Sequence, residues 1–193
     1  MKKHKDYKKI FYSTYNNFSK IIKSLDGRNF CIDKTTCSIF NEKIIKLFFN
    51  IKSSTDPCYL MKSIKNKIEI KHMVNAHIKD GVALTKFIYW IKHVNKNKIT
   101  EIGAIKKLEQ LRKLNKDYLF SSFDTIAGAG SNGAIVHYRA NKKTNKNIKK
   151  NDIFLCDSGG QYKYGTTDVT RTICFSKPKP LVKNIFTKIL QGH

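Results

Sequence analysis

The apolar residues of this chain fall into stretches with different periods, and each period predicts an element. Over residues 59–94 Met73, Val74, Ile78, Leu84, Phe87, Ile88, Ile91 and Val94 recur at three- and four-residue steps, with His77 and Gly81 in the same stripe. That spacing predicts a long amphipathic helix. Ile105, Leu108 and Leu111 continue the period after Thr100 and Glu101, which predicts a second helix capped by Thr100 and running to about Asn115. Pro178 and Pro180 precede a third apolar stripe over residues 181–190, built on Ile185, Ile189 and Leu190. Near the start, residues 28–45 read as a strand, Asn29–Ile32, and then a helix capped by Thr35 or Thr36. Residues 53–57 are turn-like and mark the expected domain boundary. Residues 120–140 carry few charges, and there 123–127 and 134–138 are predicted strands joined by a Gly/Ser/Asn loop. The loop wording, GAGSNG, lacks the lysine-serine pair and the following helix of a phosphate cradle. Residues 141–151 form a Lys/Asn run expected to be a solvated loop.

Residues 153–175, IFLCDSGGQYKYGTTDVTRTICF, alone place acidic side chains inside β-prone apolar runs. Ile153, Phe154, Leu155 and Cys156 lead into Asp157, while Val169, Ile173 and Phe175 follow Asp168. Burying a carboxylate is costly unless something positive meets it. Glycines and polar residues between the two acids predict a reversal of the chain. A hairpin centred on Tyr162 and Lys163 sets Asp157 opposite Asp168, with Cβ atoms about 5 Å apart. Two carboxylates so close ionise together only with a cation between them. A pair of divalent ions about 3.5 to 4 Å apart meets that requirement. Oxygen ligation favours Mn²⁺ or Mg²⁺, and histidine ligands would admit Zn²⁺ or Co²⁺. From spacing alone the alternative stays open that both are hairpin-end acids, with Asp157 opening an Asx turn through Ser158 and Gly159.

Composition narrows the partners. The 193 residues hold 38 Lys and Arg against 14 Asp and Glu, a formal charge of +24. That balance raises an anionic partner, yet only four of the basic residues are arginine, and the lysines are spread among Asn and Ile instead of standing beside stacking aromatics. The charge is therefore read as compositional bias, arguing against nucleic acid. Five cysteines, an odd number with no CxxC, predict a reducing, cytoplasmic setting. Cys156 and Cys174 read as small buried hydrophobes. No apolar run approaches the roughly 20 residues of a membrane span. The first 18 residues carry charge without the apolar core of a secretory signal.

The wording of several segments adds a resemblance. DSGGQYKYGTTDVTRT resembles the metal-binding hairpin of the Xaa-Pro aminopeptidases (aminopeptidase P), members of the pita-bread, or creatinase-like, metallopeptidases. HMVNAHIKDGVALTKFIYWI resembles the opening helix of their catalytic domain, and SFDTIAGAGSNGAIVHY resembles their SFxTIxxxGxNGAIIHY stretch. The closing ILQGH is similar to their VLKGH. The likeness covers about residues 26–193 and implies an α+β fold, an incomplete pita-bread domain with helices packed on an antiparallel sheet. It divides the chain into a basic arm over 1–27, a remnant of the middle domain over 28–56, and the N-terminal half of the catalytic domain over 57–193.

The same resemblance implies site roles. Asp157 and Asp168 become metal ligands for two divalent ions, most often Mn, with Zn or Co as alternatives. His137 falls on the family histidine that contacts substrate and assists proton transfer; read alone, it is a strand histidine with a structural hydrogen bond. The implied activity is removal of an N-terminal residue that precedes proline, with such peptides as partners and a homodimer formed through the full-length catalytic domain. The family uses five ligands, two Asp followed by one His and two Glu, and no residue of this chain matches the later three. The resemblance thus implies an aminopeptidase by family whose 193-residue fragment lacks activity. The alternative is a non-catalytic pita-bread homologue acting as a binding module for protein, ribosome or RNA. Tyr164 stands where the family usually has an acid, at the hairpin tip, where little effect on metal binding is expected.

Overall fold

The computed structural model describes residues 12–95 and 99–193; residues 1–11 of the expected basic arm lie outside them. Chain contacts divide it into two units, Met1–Ile64 and Lys65–His193. The division falls after Ile64, so the helix that follows the 53–57 turn belongs with the first unit.

In the first unit α1 (Phe18–Lys23), β1 (Asn29–Ile32), α2 (Ile39–Lys46) and β2 (Asn50–Ser53) pack about a small core of Ile22, Ile32, Ile45 and Phe49, and α3 (Pro57–Ser63), which buries no residue, follows. Strand β1 has the bounds that its sequence predicts, and it pairs in parallel with β2. The cap of α2 is Ser38, whose Oγ accepts from Asn41 N at 3.2 Å. Thr35 cannot serve because it is drawn into a turn on Asp33, donating both N–H and hydroxyl to Oδ1 at 2.9 and 2.6 Å.

The second unit opens on α4 (Lys67–His93) and α5 (Glu101–Lys113). The helical period expected from residue 59 is interrupted at Asn66, because Asn66 and Glu69 form a reciprocal capping box that starts a new helix. Thr100 caps α5 as expected, its Oγ1 accepting from Gly103 N. Leu84, Phe87 and Ile91 of α4 and Ala104 and Leu108 of α5 meet Ala127, Ala129, Phe154, Cys156 and Ile173 in one core. The strands that supply the sheet side are β3 (Tyr118–Ser121), β4 (Ile126–Ala129), β5 (Ile153–Ser158), β6 (Gly160–Tyr162), β7 (Gly165–Thr166) and β8 (Val169–Cys174). They make two three-stranded antiparallel sheets, ordered β3-β6-β7 and β4-β5-β8. A single long hairpin runs through both, β5 into β6 and back through β7 into β8. The final helix, α6 (Pro180–Gly192), buries none of its residues. No helix among the described residues is long and apolar enough to cross a membrane.

One expected element is absent. Residues 134–138 are not a strand: Gly130–Ala134 is a 3-10 helix, followed by a turn in which Tyr138 N bonds Ile135 O. Ile135 and Val136, the residues that make the stretch read as a buried strand, are exposed. Residues 141–151 are a loop exposed at nearly every position, as expected, but the loop is pinned. Ile148 is in the core, Ile148 N bonds Ile99 O, and Asn145 Oδ1 accepts from Ile102 N, so the run is tied to the start of α5.

Candidate metal centre

Burial alternates along β5. Phe154, Cys156 and Ser158 are buried, while Ile153, Leu155 and Asp157 are half-buried on the other face. Because Phe154 and Cys156 join the helix-packed core, Asp157 sits on the face turned away from α4 and α5. Burial raises the Cys156 thiol to about 11, as befits an inert packing residue.

The hairpin register corrects the expected pairing of the two acids. Gln161 pairs with Thr166 and Tyr162 with Gly165, so the two turn residues are Lys163 and Tyr164, one position later than the expected centre. Asp157 therefore faces Thr170 instead of Asp168. Thr170 Oγ1 donates to Asp157 Oδ1 at 2.8 Å, and among the described residues Oδ2 has no partner. Asp168 stands two residues before Thr170, the step that returns an extended chain to the same side. It is exposed, and its carboxylate has no hydrogen bond or ion pair among the described residues. The two acids are thus diagonal neighbours across the hairpin, a relation that separates Cβ atoms by about 7 Å.

Gly159 fixes this geometry. A Cβ there would lie 1.9 Å from Thr167 O and 2.2 Å from Ser122 Oγ, so only glycine fits where the chain crosses between the sheets, two residues beyond Asp157. Gly160 N bonds Thr167 Oγ1 and Thr167 N bonds Gly160 O, both at 2.9 Å, which closes the crossing.

Behind it lies a buried ion pair that sequence reasoning missed. Arg112 on α5 donates from Nε to Asp80 Oδ1 at 2.7 Å and from Nη2 to Asp80 Oδ2 at 3.1 Å, with both side chains 1% exposed. Nη2 also reaches Ser158 Oγ at 3.1 Å and Nη1 reaches Gly159 O at 3.2 Å. Tyr162 OH donates to Asp80 Oδ1 at 2.9 Å, and burial followed by the Asp80 hydrogen bond pushes its pKa upwards. A signal was present: Asp80 interrupts an apolar stripe, and Arg112 is one of four arginines in a chain that otherwise uses lysine.

His137 is exposed on the turn after the 3-10 helix, with φ of 53°. For a side chain bearing Cβ this left-handed conformation costs about 1 kcal/mol. It makes no hydrogen bond among the described residues, contrary to the strand histidine with a structural bond. The turn approaches the Asp157 face, since a Cβ on Gly133 would lie 3.6 Å from Leu155 Cβ. Gly128 permits that approach: a Cβ there would stand 2.7 Å from Gly133 Cα. Arg171 is exposed and donates from Nη1 to Thr170 O at 2.7 Å. Tyr164 is exposed at the hairpin tip against His72, with ring centroids 5.0 Å apart.

Two carboxylates with open oxygens on one side of a hairpin fit a hard divalent cation, which takes about six oxygen ligands. Among the described residues no third His, Cys, Asp or Glu joins them in a ligand cluster. These residues therefore fit part of a metal site.

Comparison with known proteins bears on the same segment. The family model for metallopeptidase family M24 matches residues 71–193. The chain is 41% identical over 160 residues to an Xaa-Pro aminopeptidase of Drosophila melanogaster, covering 82% of this chain and 26% of that protein. It is 46% identical over 135 residues to a probable Xaa-Pro aminopeptidase P of Podospora anserina, covering 68% and 20%. The chain thus spans about a fifth to a quarter of these relatives. The X-prolyl aminopeptidase from Caenorhabditis elegans, described as a cytosolic enzyme with a di-nuclear active site, superposes with a TM-score of 0.64 at 35% identity over 68% of this chain and 22% of that one. A prolidase from Pyrococcus furiosus gives 0.75 at 25% identity over 93% and 51%. The mixture of helices and antiparallel sheet matches the pita-bread architecture of these neighbours.

Proposed function

We propose, for a chain that belongs to metallopeptidase family M24, that it supplies part of the active site of an aminopeptidase releasing an N-terminal residue that precedes proline. The observation that carries this reading is the pair of open carboxylates, Asp157 and Asp168, at the crossing of the hairpin. Asp157 and Asp168 would hold divalent cations, manganese first, with zinc or cobalt as alternatives; the di-nuclear description of the Caenorhabditis elegans relative supports a pair. When bound, such a pair polarises the scissile carbonyl and provides a nucleophile at neutral pH. The chain's own groups do the rest. Thr170 fixes the Asp157 rotamer by donating to Oδ1, which leaves Oδ2 for ligation. Arg112 and Gly159 hold the backbone between the two acids. His137 contacts the substrate and moves a proton, work worth about 100- to 10,000-fold in rate for a positioned imidazole. A cytoplasmic setting is part of the proposal, supported by five free cysteines and the cytosolic relative.

Two carboxylates hold only a largely hydrated ion, so the 193-residue polypeptide by itself is proposed to be inactive. Incubated with a peptide carrying proline second and added Mn²⁺, it is expected to release no residue. Turnover that disappears in the Asp157→Ala, Asp168→Ala double variant would overturn the inactivity and leave the reaction assignment standing. Turnover that survives the double substitution would remove the two aspartates from the site.

A further inference from the structure

Glu101 is 0% exposed at the first position of α5, and four donor groups meet its carboxylate, Asn132 Nδ2 reaching both oxygens. Oε1 accepts from Ala129 N at 2.8 Å and Asn132 Nδ2 at 3.0 Å. Oε2 accepts from Tyr138 OH at 2.8 Å and Lys146 N at 3.1 Å. Asn132 Nδ2 also donates to Tyr138 OH at 2.7 Å, which links the two sides of the cluster. Asn132 and Tyr138 belong to the short stretch that carries His137, Ala129 enters it and Lys146 lies just beyond it. The helix N-terminus adds a further positive field to the carboxylate.

His137 itself is exposed, sits at φ 53° and has no hydrogen bond or ion pair among the described residues. Nothing in its own side chain holds that backbone. A strained, non-glycine conformation persists only where the surroundings over-determine it. Here the surroundings are Asn132 five residues before and Tyr138 one residue after, both anchored on the same buried carboxylate.

We propose that Glu101 is the positioning residue for His137: without touching substrate, it holds the turn that presents the imidazole on the Asp157 side of the sheet. The purpose of that presentation rests on the aminopeptidase reading, while the holding does not. A carboxylate is required because it only accepts, and four donors converge on it. Glutamine has the same shape but carries two N–H groups, so one of its two ends must meet donors with a donor. Glu101→Gln therefore removes the anchor with little change in volume.

The experiment is nuclear magnetic resonance on the isotope-labelled 193-residue chain. A left-handed backbone at His137 gives a strong intraresidue contact between its amide and Cα protons, and this is expected in the native chain. In Glu101→Gln that signature is expected to be lost, and amide exchange over residues 132–138 to quicken about tenfold or more as the turn opens locally. Exchange at Tyr162 and Ser158, around the Asp80–Arg112 pair, is expected to stay within about twofold, since no contact is shared with that network. Tyr138→Phe, which deletes one donor, moves His137 in the same direction and keeps the test available should Glu101→Gln not fold. Retention of the left-handed signature in a folded variant that lacks the Glu101 contact overturns the proposal, and so does a uniform rise in exchange across the unit. Titrating a proline-second peptide into the native chain separates the two readings. An unmoved His137 imidazole there counts against its substrate role, whereas the variant data alone decide what Glu101 holds.

Discussion

Replacing Asp80 by alanine is expected to destabilise the Lys65–His193 unit by about 3 to 5 kcal/mol, the cost of leaving one member of a buried ion pair without its partner. The guanidinium of Arg112 is 1% exposed, and after the change it keeps, among the described residues, Gly159 O and Ser158 Oγ. Tyr162 loses its acceptor as well. Single domains are stable by only about 5 to 15 kcal/mol, so a loss of that size is visible at once in urea unfolding. Asp80→Leu combined with Arg112→Met is expected to recover much of it, because a packed apolar pair needs no desolvation of charge. A loss below about 1 kcal/mol for Asp80→Ala would mean that water reaches the pair, and the interpretation of Arg112 as a buried clamp behind the hairpin would fail.

The second large effect is expected at the crossing of the hairpin. Gly159→Ala puts a Cβ 1.9 Å from Thr167 O, a backbone atom that moves only if the crossing moves with it. A loss of at least about 3 kcal/mol is expected, at or beyond the upper end of ordinary overpacking. Displacement of Asp157 relative to Asp168 should accompany it. Gly81→Ala is the control of opposite sign. It lies within α4 with nothing within 4 Å of a new Cβ, so alanine should stabilise by about 0.5 to 1 kcal/mol through helix propensity. Comparable unfolding midpoints for the two alanine variants would show that the Gly159 contact is not a constraint.

These two sites also show where sequence reasoning reaches and where it stops. Strand β1, the Thr100 cap of α5 and the reversal between Asp157 and Asp168 were legible because their signals are local: an apolar run, a hydroxyl before a helical period, a glycine-rich stretch. The hairpin register was misjudged by two residues because turn-tolerant positions extend from Gly159 to Gly165, and only the pairing of Tyr162 with Gly165 selects among them. Ile135 and Val136 looked like a strand interior, but Asn132 and Tyr138 are bound to Glu101 more than thirty positions upstream, and that long-range anchor outweighs local propensity. Strand β3 escaped notice because it is only four residues long, begins five positions after the end of α5, and buries only Tyr118. Asp80 and Arg112 were hidden for the same reason as Glu101. A buried charge announces itself in sequence only as an interruption of an apolar pattern, and its partner is set by the fold.

The proposed joint hold of Asp157 and Asp168 on a divalent cation is tested most directly by Mn²⁺ itself, because its unpaired electrons broaden nearby resonances. Added to the labelled 193-residue chain, Mn²⁺ is predicted to broaden the amide signals of Asp157, Asp168 and Thr170 first, at concentrations that leave the rest of the chain sharp. In the Asp157→Asn, Asp168→Asn double variant that selectivity should vanish. Broadening centred instead on another exposed carboxylate, such as Asp124, or left unchanged by the double variant, would contradict the assignment.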